Sequence, residues 1–225
     1  MAAVILYTDY TYCIYESLLE TYTDILPLPV LKKAATFRNW QDKQAFILGR
    51  LLVWKGLKSF QYEDNCLNQL QISSYGKPYI DHQVFFNISH AGRYVICALN
   101  SEETGIDIEE IQPIELNDFN AIFCAEEKFQ LSKASNPLQQ FFKFWTIKES
   151  VIKAEGKGLS IPMDQVTISP EGAVSYKEKT WYVKEIDAFQ DYCCVIATAT
   201  QLTSLIVKKV NFDVAQSTET IVSLV

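Results

Sequence analysis

The run Gly105-Ile106-Asp107-Ile108-Glu109 places two carboxylates one residue apart. A strand sends alternate side chains to opposite faces, so Asp107 and Glu109 share one face and Ile106 and Ile108 take the other. Carboxylates held side by side repel each other: either one keeps a proton or a cation lies between them. Oxygen donors without histidine or cysteine favour magnesium over zinc. A solvated strand face with two ordinary acids is the other reading, and the D-x-E pattern alone leaves both open.

A second constellation occupies residues 145–159, W-T-I-K-E-S-V-I-K-A-E-G-K-G-L. Trp145, Glu149 and Lys153 stand four residues apart and so share one helix face. As an exposed i,i+4 pair, Glu149 and Lys153 would contribute only about 0.3–0.5 kcal/mol. The cluster Phe141, Phe142, Phe144 and Trp145 just before them turns that face inward, and charges drawn toward the interior need partners. The third group is Phe86-Asn87-Ile88-Ser89-His90. Neighbours on a strand point apart and no G-x-S-x-G elbow exists, so Ser89 and His90 do not read as a hydrolase dyad. Hydroxyl, imidazole and backbone donors suit a phosphate; a structural histidine is equally open.

These groups need elements to hold them. Residues 3–6 read as a short strand, and 36–60 carry apolar residues at helical spacing. Tyr75-Gly76-Lys77-Pro78 is a turn; 84–88 and 94–99 read as strands joined by Ala91-Gly92-Arg93. A strand begins at Gly105, and a helical region opens at Ala125 and is broken at Asn136-Pro137. A second helix spans about 138–154 and ends at Gly156. Strand-like runs follow at 165–169, 181–186 and 192–198, and 211–225 carry weak signals. Helix followed by strands occurs twice, ending in Y-V-I-C-A-L at 94–99 and Y-C-C-V-I-A at 192–197, as in a duplicated α+β unit. A site would then lie in the cleft between the halves, 1–103 and 104–225.

Composition narrows the functional classes. At 225 residues, 48% apolar and 21% charged, the chain is an ordinary globular protein with room for one large or two small domains. A net charge of −7 makes nucleic acid a poor partner. Lys32, Lys33, Arg38, Lys43, Arg50, Lys55 and Lys58 nevertheless cluster with Asp42 as the one acid among them, either an anion site or a solvated helix face. Only His82 and His90 are present, which argues against an imidazole zinc site. The six cysteines form no C-x-x-C pair and read as reduced, largely buried thiols of a cytoplasmic protein. No stretch is long and apolar enough to span a membrane, and residues 1–6 are too short for a signal peptide.

Taken in order, Y-G-K-P at 75–78, F-N-I-S-H at 86–90, G-I-D-I-E at 105–109 and W-x-x-K-E-S-x-x-K-x-x-G-K-G-L at 145–159 closely resemble the Sfp-type 4'-phosphopantetheinyl transferases. The last block is highly specific, and the resemblance is strongest over 75–162. It implies an α+β fold of two similar halves related by a pseudo-twofold axis, with coenzyme A in the cleft between them. The first half would then bind the nucleotide, and the second would carry the metal site and the catalytic helix. Carried over residue by residue, it implies that Asp107, Glu109 and Glu149 bind magnesium and that Lys153 lies beside the phosphates. It further implies that Lys77, Ser89 and His90 contact coenzyme A and that Lys33 meets the 3'-phosphate region. Many members carry a basic residue where this chain has Ala45 and Phe46; Lys43 or Arg50 is the substitute on offer. The implied reaction moves phosphopantetheine from coenzyme A to a serine of an apo acyl or peptidyl carrier protein and releases 3',5'-ADP. Glu149 is the expected general base with Lys153 the second choice, Lys157-Gly158-Leu159 the expected carrier contact, and a monomer the expected unit. Two further readings stand beside it: another magnesium-dependent phosphate transferase, and a non-catalytic coenzyme A or carrier-protein binding module. The common P-loop and kinase motifs are absent, and both the D-x-E acids and the helix glutamate are present.

Overall fold

Strands form where β-branched and aromatic residues cluster, and two long helices are set among them. The computed structural model describes residues 2–12, 15–81, 83–212 and 220–224; Cys13 and His82 lie outside them. The strands in chain order are β1 (Ala2–Asp9), β2 (Gln71–Ile72), β3 (Pro78–Tyr79), β4 (Phe85–Ala91), β5 (Tyr94–Asn100), β6 (Thr104–Glu110), β7 (Val166–Ile168), β8 (Val174–Tyr176), β9 (Lys179–Glu185), β10 (Tyr192–Thr198), β11 (Ser204–Lys209) and β12 (Thr220–Leu224). The helices are α1 (Tyr15–Tyr22), α2 (Leu28–Ala34), α3 (Trp40–Ser59), α4 (Ala125–Lys133) and α5 (Pro137–Glu155).

Local chemistry sets the ends of both long helices. Asn39 caps α3 by accepting from the Gln41 N–H at 3.2 Å. Asn136 caps α5 by accepting from the Gln139 N–H at 3.1 Å, and Pro137 occupies the first turn, where its missing N–H costs nothing. Asn136-Pro137 therefore opens α5 as well as separating it from α4. Gly156 closes α5 in the left-handed region at φ 73°, a conformation glycine adopts without strain.

Two five-stranded sheets result, ordered β12-β11-β1-β5-β4 and β6-β10-β9-β8-β7. Each contains the same trio. In the first, β5 lies antiparallel between β1 and β4; in the second, β10 lies antiparallel between β6 and β9. The two similar sequence runs at 94–99 and 192–197 are these two middle strands, so the α+β duplication is visible in the topology. Beyond β10 the chain crosses back, and β11 runs parallel to β1 with Ile5 opposite Val207. The first sheet thus takes the two strands at one edge, β11 and β12, from the C-terminal end.

Strand alternation produces three apolar layers. Val95, Cys97 and Leu99 face α3, meeting Leu48, Leu51 and Leu52. Ile96 and Ala98 face the other way and pack with Ile106, Ile108, Cys194 and Ile196 between the sheets. Val195 and Ala197 face α5, against Ile147 and Val151. The order is therefore helix, sheet, sheet, helix, and β5 and β10 are covered on both faces. At the seam, β6 is an edge strand whose free N–H groups are taken up by side chains of β4. Ile106 N–H donates to Asn87 Oδ1 at 2.9 Å, and Ile108 N–H to Ser89 Oγ at 3.4 Å. An unpaired buried strand edge is costly, so these two bonds join the halves.

Candidate active site

The site sits where β6 passes beneath α5. Gly105 permits the contact: a Cβ there would fall 2.0 Å from the Ser150 carbonyl oxygen and 2.4 Å from the Ala154 nitrogen. With backbone against backbone at this point, the next residues on the same strand face, Asp107 and Glu109, lie against the side of α5 that carries Lys153 and Trp145. The shared face expected for them is the face observed.

Asp107 is 1% exposed. Its Oδ1 accepts from Ser89 Oγ–H at 2.9 Å and from the Lys153 ammonium at 2.5 Å, and Lys153 also donates to Ser89 Oγ at 2.8 Å. Asp107 Oδ2 is buried without a partner. Burial raises the Asp107 carboxyl above its ordinary range, against the pull of Lys153. Glu109, one pleat further, accepts from Trp145 Nε1–H at 3.1 Å. Burial and then the Asp107 charge push its pKa up to about 7. Glu149 is half-buried and is raised by the same two causes in the same order. His90 keeps a solvent-accessible surface near the end of β4; the protein gathered around it and then the nearby Lys153 charge hold its pKa below the usual imidazole value.

The Asp107 charge thus raises both glutamates, and Glu149 also raises Glu109, around one lysine. Among the described residues no three acidic, histidine or cysteine side chains stand in a ready-made metal cage. The donor set nonetheless fits a hard divalent cation: oxygen donors only, mutual repulsion, and one buried carboxylate oxygen unpartnered.

The remaining expected residues lie at different depths. Lys77 is half-buried at the C-terminal end of α5, and its ammonium donates to the carbonyls of Lys153 at 2.7 Å, Ala154 at 3.0 Å and Thr104 at 3.4 Å. Beside it a cavity of about 410 Å³ is lined by Tyr75, Lys77, Phe86, Glu103 and Gly156. Lys33 and Lys43 stand apart from the acids: Lys33 is exposed near the Phe37 ring, and the Lys43 ammonium lies 4.2 Å from the Tyr15 ring centre. Asp42, next to Lys43 in sequence, places its charge near His90. Arg50 stacks on Phe46 at 4.6 Å, and burial lowers its pKa; Ala45 faces the core. A larger cavity of about 700 Å³ opens along residues 185–195 and holds none of the three acids.

The motif reading missed three partners. Asn87 bonds the β6 backbone, and a polar side chain inside an apolar strand was its signal. Trp145 was read only as the inward start of a helix face, yet it binds Glu109. Lys148 pairs with Glu127 at 2.9 Å with both side chains fully buried. Glu127 also accepts from the N–H groups of Cys124 at 2.9 Å and Ile168 at 3.0 Å, and Lys148 donates to the carbonyls of Met163 at 3.0 Å and Val166.

Known proteins resemble this chain over much of its length. Residues 103–197, which contain β6, α5 and β10, match the family model of the 4'-phosphopantetheinyl transferase superfamily. The chain is 37% identical over 163 residues to the 4'-phosphopantetheinyl transferase gsp of Aneurinibacillus migulanus, covering 69% of each chain. It is 35% identical over 179 residues to the 4'-phosphopantetheinyl transferase Sfp of Bacillus subtilis strain 168, covering 75% of this chain and 80% of that one. With its D-x-E strand lying under the W-x-x-K-E-S helix, this chain belongs to the 4'-phosphopantetheinyl transferase superfamily, among its Sfp-type members.

Proposed function

We propose that this chain transfers the 4'-phosphopantetheine arm of coenzyme A to a serine of an apo acyl or peptidyl carrier protein. The observation that carries the reading is the convergence of Ser89, Asp107 and Lys153 at the seam of the two halves, flanked by Glu109 and Glu149. Asp107, Glu109 and Glu149 would hold magnesium, which when bound offsets charge on the phosphoryl oxygens. Lys153 presents its ammonium to the pyrophosphate, and Ser89 and His90 add donors along the β4 rim. The basic residues Lys33 and Lys43 serve the 3'-phosphate end. As the carrier serine oxygen bonds to the β-phosphorus, the bond from that phosphorus to the departing 3',5'-ADP breaks. Glu149, or a water it orients, takes the serine proton.

Leu159, 99% exposed on the 3-10 turn Gly158–Ser160, and the neighbouring Lys157 offer an apolar and basic contact to a carrier helix. A single chain supplies both halves of the cleft, so the acting unit is a monomer. The buried unpaired thiols of Cys66, Cys97 and Cys194 suit the cytoplasm. No helix among the described residues is long and apolar enough to cross a membrane.

Glu149→Gln and Lys153→Ala test the roles. Each is expected to lower turnover by about 100-fold or more, with Glu149→Gln keeping its affinity for coenzyme A by calorimetry. Normal turnover in both variants would contradict the assignment.

The acids also predict a pH dependence. Glu109 titrates near 4.5 when unfolded and at about 7 when folded, so the folded state binds the extra proton between those values. This contribution is present below pH 4.5 and is lost as pH rises through 7. In chelator, the melting temperature should therefore carry a downward component across that window, and added magnesium should reduce it. A Glu109→Gln variant with an unchanged profile would contradict this.

A further inference from the structure

Lys77 reaches from one half of the molecule into the other. Its turn is fixed locally: Lys77 N–H donates to Ser73 Oγ at 3.1 Å, and Ser73 N–H donates to the Lys77 carbonyl at 2.9 Å. From this base the side chain crosses the seam and gives its three ammonium protons to three carbonyls. Two of these, Lys153 and Ala154, are among the last carbonyls of α5, which have no partner within the helix and form the negative end of its dipole. The third, Thr104, is the first residue of β6. Lys77 therefore ties together the ends of the two elements that carry Lys153 and Asp107. Room is made for it at Gly156, where a Cβ would stand 2.9 Å from Lys77 Cδ. Burial holds its pKa below the usual lysine value, partly offset by the charges of Glu103 and Glu155.

We infer that Lys77 is a positioning residue for the transfer reaction: its ammonium locks the last turn of α5 onto β6, holding Lys153 against Asp107 and Ser89, and does not itself bond to coenzyme A. The inference rests on the transfer reading above and assigns Lys77 a part in it different from a direct ligand contact. Every donor of the ammonium is already spent on backbone, whereas a phosphate ligand would need at least one of them.

The test compares wild-type protein with Lys77→Met and Lys77→Arg, using an apo carrier protein, coenzyme A and magnesium. Displacing a catalytic group by about 1 Å costs roughly 100-fold, so Lys77→Met should lose about 10- to 100-fold in kcat. Its calorimetric Kd for coenzyme A should change by less than about threefold, since only a transition-state alignment is lost. Lys77→Arg should recover most of the rate, because a guanidinium offers donors to the same carbonyls. A Kd that rises in step with the loss of rate, or a wild-type kcat in Lys77→Met, would overturn the inference. Should Lys77→Met fail to fold, Lys77→Gln leaves a shorter amide donor near the same carbonyls and should lower kcat with Kd preserved; an unchanged kcat there would overturn it equally. An inactive wild-type protein sinks the transfer reading itself, whereas an active wild type with weakened coenzyme A binding in Lys77→Met sinks only the role given to Lys77.

Discussion

Replacing Asp107 with Asn is expected to reduce kcat/KM for carrier modification by about 1,000-fold, a loss of roughly 4 kcal/mol in transition-state stabilisation. Asp107 has the most contacts of the three acids: it accepts from Ser89 and Lys153, and its second oxygen is the buried one left unpartnered. The amide keeps the shape and removes the charge, so Lys153 loses its counter-ion and the proposed cation loses its most buried ligand. Stability should move little, because burial already disfavours the ionised form at this position. Measured together, turnover by intact mass and melting by fluorescence should separate sharply. A variant that loses both in parallel would make Asp107 a structural residue.

The second large effect lies behind the site. Lys148→Met should destabilise the protein by about 3–5 kcal/mol, since it leaves Glu127 buried and uncompensated. For a chain of this size that is about 10 °C in melting temperature. Glu127 and Lys148 tie α4, α5 and residues 163–168 into one unit, and Lys148 immediately precedes Glu149 on the helix. The double change Glu127→Leu with Lys148→Met should regain much of the loss, because replacing both partners removes the isolated charge. Urea titration of the three proteins checks this. Equal and additive losses would show that the ion pair is not coupled.

Legibility in the sequence followed the range of the interactions. Alternation in G-I-D-I-E is set by backbone geometry over five residues, so the face of Asp107 and Glu109 was readable directly. The i,i+4 spacing of Trp145, Glu149 and Lys153 was readable for the same reason, as was the recurrence of β5 in β10. The return of β11 to pair with β1 was not, because two strands two hundred residues apart leave no local trace of their pairing. Helices α1 and α2 are short and take much of their support from packing on α3, which no single window contains. Lys148 looked like one more helix charge; its burial depends on Glu127, twenty-one residues earlier. Lys77 reads in the sequence as a turn lysine that the resemblance sets against coenzyme A; only the fold brings the end of α5 within its reach.

The most direct test of the account is intact-mass analysis of an apo carrier protein incubated with this protein, coenzyme A and magnesium. The carrier serine is expected to gain one phosphopantetheine arm, and chelator or Asp107→Asn to abolish that gain. No gain on several unrelated carrier proteins, with coenzyme A still bound, would contradict it and leave a binding module in place of an enzyme.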